Sequence, residues 1–116
     1  MTSSDGPPRM SETQNLKLVY KDEDGEVFCH ILDDGKLVLH SQYNTELTPS
    51  FLKKAVRISQ QIDTAFKEKG VKCLHTWATN KDEENYNQFL GYVPTGLEIF
   101  MEGYEGPPIL EYYKEL

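Results

Sequence analysis

His75 and Trp77 stand two residues apart in the run Val71 to Ala78. A strand there would put both on one face, together with Val71 and Cys73. A histidine in that place could act as a base, because its proton affinity moves easily across neutrality. A buried, hydrogen-bonded histidine is the plainer reading. Trp77 suits a core or a cleft wall. Lys53, Lys54 and Arg57 crowd the start of a helical stretch. They could hold a phosphate, or they could line a solvated helix face. Asp82, Glu83 and Glu84 are an acidic run. Carboxylate chemistry is conceivable there, and helix N-terminal charge accounts for the run equally well. Cys29 and Cys73 both lie in apolar runs and read as small buried residues in a reducing compartment. Neither shows a metal-ligand spacing with His30, His40 or His75, so no metal site is expected.

Three strands should come first, over Leu16–Lys21, Glu26–Leu32 and Lys36–His40. Asp24-Gly25 and Asp33-Asp34-Gly35 separate them, and Asp-Gly is a strong hairpin signal. An antiparallel meander follows from that. His40 to Leu47 is polar and reads as irregular. Thr48-Pro49 then marks a helix start, with Thr as cap and Pro at the first helical position. The helix should run from Pro49 to about Lys69 and end at Gly70. Leu52, Ala55, Val56, Ser59, Ile62 and Phe66 recur at helical spacing. Val71 to Thr79 reads as a central strand, and Asp82 to Leu90 as a second helix stopped by Gly91. Leu97–Met101 and Ile109–Tyr113 close the chain as strands. Leu52, Val56, Ile62, Phe66, Cys73, Phe89 and Leu97 are the expected core. Tyr104, Tyr112, Tyr113 and Phe100 would form either an interface patch or ordinary strand packing.

The chain has 116 residues, enough for one domain, and its composition is that of a globular one. Residues 1–14 are polar and Pro-containing, and read as a flexible tail before a single domain over 15–116. The formal net charge is −7. Phosphate-backbone binding needs a basic surface, so nucleic acid is not an expected partner. A protein partner is expected, and a basic surface would complement this charge. No apolar run reaches the ~20 residues of a membrane span, so no membrane contact is expected either.

The order β-β-β-α-β-α-β-β, with a mostly antiparallel sheet, resembles the core and C-terminal half of the GNAT fold of acyl-CoA N-acyltransferases. The likeness is sharpest at Asn80, Leu90-Gly91-Tyr92 and Val93-Pro94-Thr95-Gly96. These match the family's strand-ending Asn, its Leu-Gly-Phe and its Pro-Thr-Gly-like turn, at the family spacing. The family's first strand and first two helices have no counterpart here. The resemblance implies that Val71–Thr79 lies parallel to Lys36–His40. It makes Lys53, Lys54, Arg57, Asn80 and Tyr86 candidates for cofactor binding, and His75 the candidate for catalysis.

Two departures from the family pattern bear on chemistry. Family members bind the CoA pyrophosphate on a Gly-rich loop that opens the long helix. The matching segment, Gln42 to Ser50, has no glycine, and Pro49 lacks a donor. Counting back from Leu90, the position of the family's proton-donating tyrosine holds Asn87, which cannot serve as an acid. Tyr86 is adjacent but should point about 100° away around the helix. The resemblance therefore implies a GNAT-like domain that has lost acyl-CoA catalysis, needs no cofactor and acts in structure or protein interaction. Small acyltransferase-like internal virion proteins of short-tailed bacteriophages look similar. The location would be cytoplasmic, or the virion for a phage protein. The alternative is an acetyl-CoA-dependent N-acetyltransferase acting on an amine.

Overall fold

A computed structural model describes residues 16–116 of the chain. The segment read as a tail lies outside the described residues. Six strands and two helices follow in the expected order: β1 Lys17–Asp22, β2 Gly25–Ile31, β3 Leu37–Tyr43, α1 Pro49–Glu68, β4 Cys73–Ala78, α2 Lys81–Phe89, β5 Val93–Ile99 and β6 Ile109–Glu115. One sheet holds all six strands in the order β1-β2-β3-β4-β6-β5. Every pairing is antiparallel except β3 with β4, which are parallel.

Local chemistry explains the element ends. Asp22 Oδ1 accepts from the Asp24 amide at 2.8 Å, which closes the β1–β2 turn. Gly25 follows, where a Cβ would collide with the Gln42 carbonyl of β3. Thr48 Oγ1 caps α1 by accepting from Phe51 N at 3.1 Å. Gly70, with φ +91°, ends it. Asn80 Oδ1 caps α2 by accepting from Glu83 N at 2.8 Å.

β3 runs on to Tyr43, through residues expected to be irregular. Ser41, Gln42 and Tyr43 pair with Val27, Glu26 and Gly25. Their polarity hid a strand whose partner across the tight turn dictates its length.

Both helices lie on one face of the sheet. Ile58 and Ile62 of α1 pack with Val27, Cys29, Leu39, Leu74, Ala78, Tyr92 and Tyr112. From the same side, Tyr112 donates its hydroxyl proton to Glu84 Oε1 of α2 at 3.1 Å.

The stripe that α1 buries is Phe51, Ala55, Ile58 and Ile62. Leu52, Val56 and Phe66, expected in the core, are only partly buried. Apolar residues adjacent in sequence at 51/52 and 55/56 allow two stripes, turned by one residue. The edge-on contact of Phe51 with the Tyr43 ring, centroids 4.8 Å apart, belongs to the stripe adopted. Cys73 is half-buried. Phe89 and Leu97 are exposed. Phe89 falls on the outer side of α2, whose buried residue is Asn87. Leu97 sits in an edge strand whose register breaks between Pro94 and Glu98. Of the C-terminal aromatics, Tyr112 is core, as strand packing would have it, and Phe100 is 84% exposed.

Candidate functional site: a cleft between two parallel strands

β3 and β4 pair at only two positions, Val38 with His75 and Leu39 with Thr76. Beyond these the strands part. A cleft of about 530 Å³ opens there, with Ser41 and Tyr43 on one side and Thr76 and Trp77 on the other. Tyr86 and Asn87 of α2 also line it, and Asp82 and Glu83 stand along its wall. That volume falls in the range of small-ligand sites.

Side chains occupy part of the backbone freed by the splay. Thr76 Oγ1 donates to the Leu39 carbonyl at 3.0 Å. Asn87 Nδ2 donates to the Trp77 carbonyl at 3.3 Å. Asn87 is therefore a structural tie between α2 and β4.

Tyr86 lines the cleft and does not turn away from it. The 100° separation from Asn87 is real, but the cleft is wide enough to receive both side chains. Among the described residues the buried Tyr86 hydroxyl makes no hydrogen bond of good geometry, although the Tyr43 hydroxyl lies near enough to raise its proton affinity. The Tyr86 ring meets that of Tyr43 at 6.1 Å between centroids. Burial first, and the nearby Tyr43 hydroxyl second, hold its proton on well above the usual phenol range. Trp77 Nε1 is also buried, with no partner among the described residues.

The basic cluster on α1 divides. Lys54 Nζ lies 2.6 Å from Asp24 Oδ2 and 2.9 Å from Asp22 Oδ2. The bond from Lys54 foremost, then those donated by the Tyr20 hydroxyl and the Asp24 amide, bring the Asp22 carboxyl down to about 2. Lys53 and Arg57 point to solvent. At the start of α1, Pro49 has no N–H, Thr48 Oγ1 takes that of Phe51, and the Thr48 carbonyl takes that of Leu52 at 2.9 Å. Few backbone donors are left for a pyrophosphate. The Asn80 side chain is engaged in capping α2.

His75 lies on the sheet face away from the helices and does not line the cleft. Its Nδ1 is 3.7 Å from Oε2 of Glu111, a side chain only 1% exposed. Lys36 Nζ reaches the same oxygen at 3.0 Å, and Thr95 Oγ1 donates to Oε1 at 2.9 Å. Burial lowers the proton affinity of His75, against the pull of Glu111. His75 thus stands beside the Lys36–Glu111 ion pair, and its Nδ1 makes no hydrogen bond among the described residues.

Sequence reasoning missed a second histidine group. His30 Nδ1 and His40 Nε2 are 3.0 Å apart, and the Trp77 ring stands edge-on to both imidazoles. It also missed Ser41 and Tyr43 as cleft residues, because β3 was expected to end at His40. The signal was present in the alternation of Leu39, Ser41 and Tyr43 away from His40 and Gln42.

No family profile and no curated protein matches this sequence. Among solved structures, the chain is similar to a Bacillus subtilis acetyltransferase crystallised in complex with CoA. The TM-score is 0.52 at 10% identity, over 88% of this chain and 98% of the other. The likeness is one of fold: a mixed α/β, GNAT-like domain with a mostly antiparallel sheet.

Proposed function

We propose that this GNAT-like domain works by binding a protein partner and not by acyl transfer. The observation that carries this reading is the closed start of α1. A CoA pyrophosphate needs converging backbone donors and a nearby cation. Here Thr48 and Pro49 remove donors, and Asp22 and Asp24 hold Lys54. The residues present do not fit the nucleotide end of CoA. With a net charge of −7, the surface also disfavours a polyanionic ligand and favours a partner with a basic surface. In this reading the protein is a structural or interaction component, either in the cytoplasm or within a phage virion.

The test is calorimetric titration with acetyl-CoA. A dissociation constant weaker than about 1 mM is expected. A micromolar constant that weakens when Lys53 and Arg57 are changed to Ala would overturn the reading.

One observation favours acetyl-CoA-dependent N-acetyltransfer to an amine instead. Tyr86 lines the cleft and keeps its hydroxyl protonated, beside the position where the family's acid would stand. Acetyl transfer to amines above background, abolished by Tyr86→Phe, would make this the better reading.

A further inference from the structure

We propose that the partner enters the cleft as an extended peptide segment carrying basic side chains, and adds as a short strand along β3. This rests on the binding reading above. Three independent observations carry it: an open strand edge, unpartnered polar groups, and the charge of the walls.

The strand edge comes first. The Leu39 carbonyl points towards β4, where Thr76 meets it. The Asn44 amide points the other way and donates to the Asp24 carbonyl across the β1–β2 turn. Backbone groups alternate in direction along a strand. Ser41 and Tyr43 therefore present their N–H and C=O to the β4 side. Pairing between β3 and β4 ends at Leu39 and Thr76, so no strand among the described residues meets them there. An open edge with spaced donors and acceptors is a template for an added strand. The β4 side is less available, because Asn87 already holds the Trp77 carbonyl. The added strand should therefore follow β3.

The second observation is the pair of buried polar atoms. Among the described residues Trp77 Nε1 has no partner and Tyr86 Oη has none of good geometry, with only the Tyr43 hydroxyl nearby, and both side chains line this cleft. A buried donor without an acceptor is costly. The carbonyls of an extended chain supply acceptors at regular intervals, which a purely apolar ligand cannot.

The third observation is charge. Asp82 and Glu83 line the cleft, and among the described residues no lysine or arginine does. One Glu83 oxygen is bonded to the amide and hydroxyl of Thr79. Asp82 is exposed. Tyr43, Trp77 and Tyr104 line the cleft with them. Carboxylates with aromatic walls suit a lysine or arginine side chain. They disfavour an acidic one.

The experiment uses the full chain, labelled with 15N, and a capped Lys-Val-Lys-Val-Lys peptide as probe. Two controls carry the same backbone length: Glu in place of each Lys, and N-methylation of alternate amides. The Lys peptide should shift the amide signals of Ser41 and Tyr43 and slow their exchange with solvent. Both controls should bind about tenfold or more weakly. Asp82→Asn should weaken the Lys peptide as well, and its unchanged spectrum elsewhere would show that it folds. No binding by the Lys peptide overturns the proposal. So does equal binding by either control, or binding that leaves Ser41 and Tyr43 unmoved. If the peptide fails and acetyl-CoA also fails to bind, the non-catalytic reading stands and only the peptide is lost. If acetyl-CoA binds and displaces the peptide, the peptide site stands and the non-catalytic reading falls.

Discussion

Nζ of Lys54 lies 2.6 Å from Oδ2 of Asp24, and this contact ties the second turn of α1 to the turn between β1 and β2. The cation that could have met a phosphate is spent on holding the helix to the meander. Asp22 shares it at 2.9 Å.

Lys54→Ala should therefore lower the melting temperature at neutral pH and leave acetyl-CoA affinity as weak as before. The effect has a pH signature. Asp22 sits at about 2 when folded, against an ordinary value of 3.8. Its stabilisation is complete above the ordinary value and fades as pH falls towards about 2. The wild-type protein should lose stability across that window, and Lys54→Ala should lose less. Denaturant midpoints at several acid pH values read the difference.

A higher window belongs to the histidine pair. Burial holds His30 below its ordinary value, and burial with the neighbouring His30 takes His40 down to about 4. The unfolded chain protonates these groups first. Stability should then be full above about 6.5 and decline as pH falls towards about 4. Thermal melts between those limits should show the decline. The double variant His30→Phe, His40→Phe should flatten it.

Packing predicts an order among α1 variants. Ile58 is buried in the main core, so Ile58→Ala should cost about 2–4 kcal/mol. Leu52 is only partly buried, so Leu52→Ala should cost about 1 kcal/mol or less. Phe66→Ala should fall between them, because Phe66 packs against the core from its rim. Urea titrations that reverse the order of Ile58 and Leu52 would show the helix turned by one residue.

Two tyrosines with opposite hydrogen-bond status give a paired test. Tyr112 donates to Glu84, so Tyr112→Phe should cost about 1–2 kcal/mol. The buried Tyr86 hydroxyl makes no hydrogen bond of good geometry among the described residues, so Tyr86→Phe should be neutral within about 0.5 kcal/mol, or slightly stabilising. A large loss at Tyr86 would mean that a partner satisfies its hydroxyl.

The sequence by itself determined the order of the elements and the caps of α1, whereas the parallel neighbourhood of β3 and β4 was implied by the resemblance to the GNAT fold. The order and the caps depend on signals within a few residues: Asp24-Gly25, Thr48-Pro49, Gly70, Asn80 and the helical spacing between them. Tertiary structure decided the rest. Which stripe of α1 is buried depended on what the sheet offered to residues 51/52 and 55/56, where the sequence allows either choice. β3 reached Tyr43 because β2 paired with it, whatever its own polarity. Asn87 became a tie and Tyr86 a cleft residue because β3 and β4 part after two pairs, and a divergence between strands leaves no mark in local composition. His30 and His40 are ten residues apart in the chain, and Lys54 and Asp24 are thirty. Charge and hydrogen bonding act through space, and only the folded sheet brought those groups within reach.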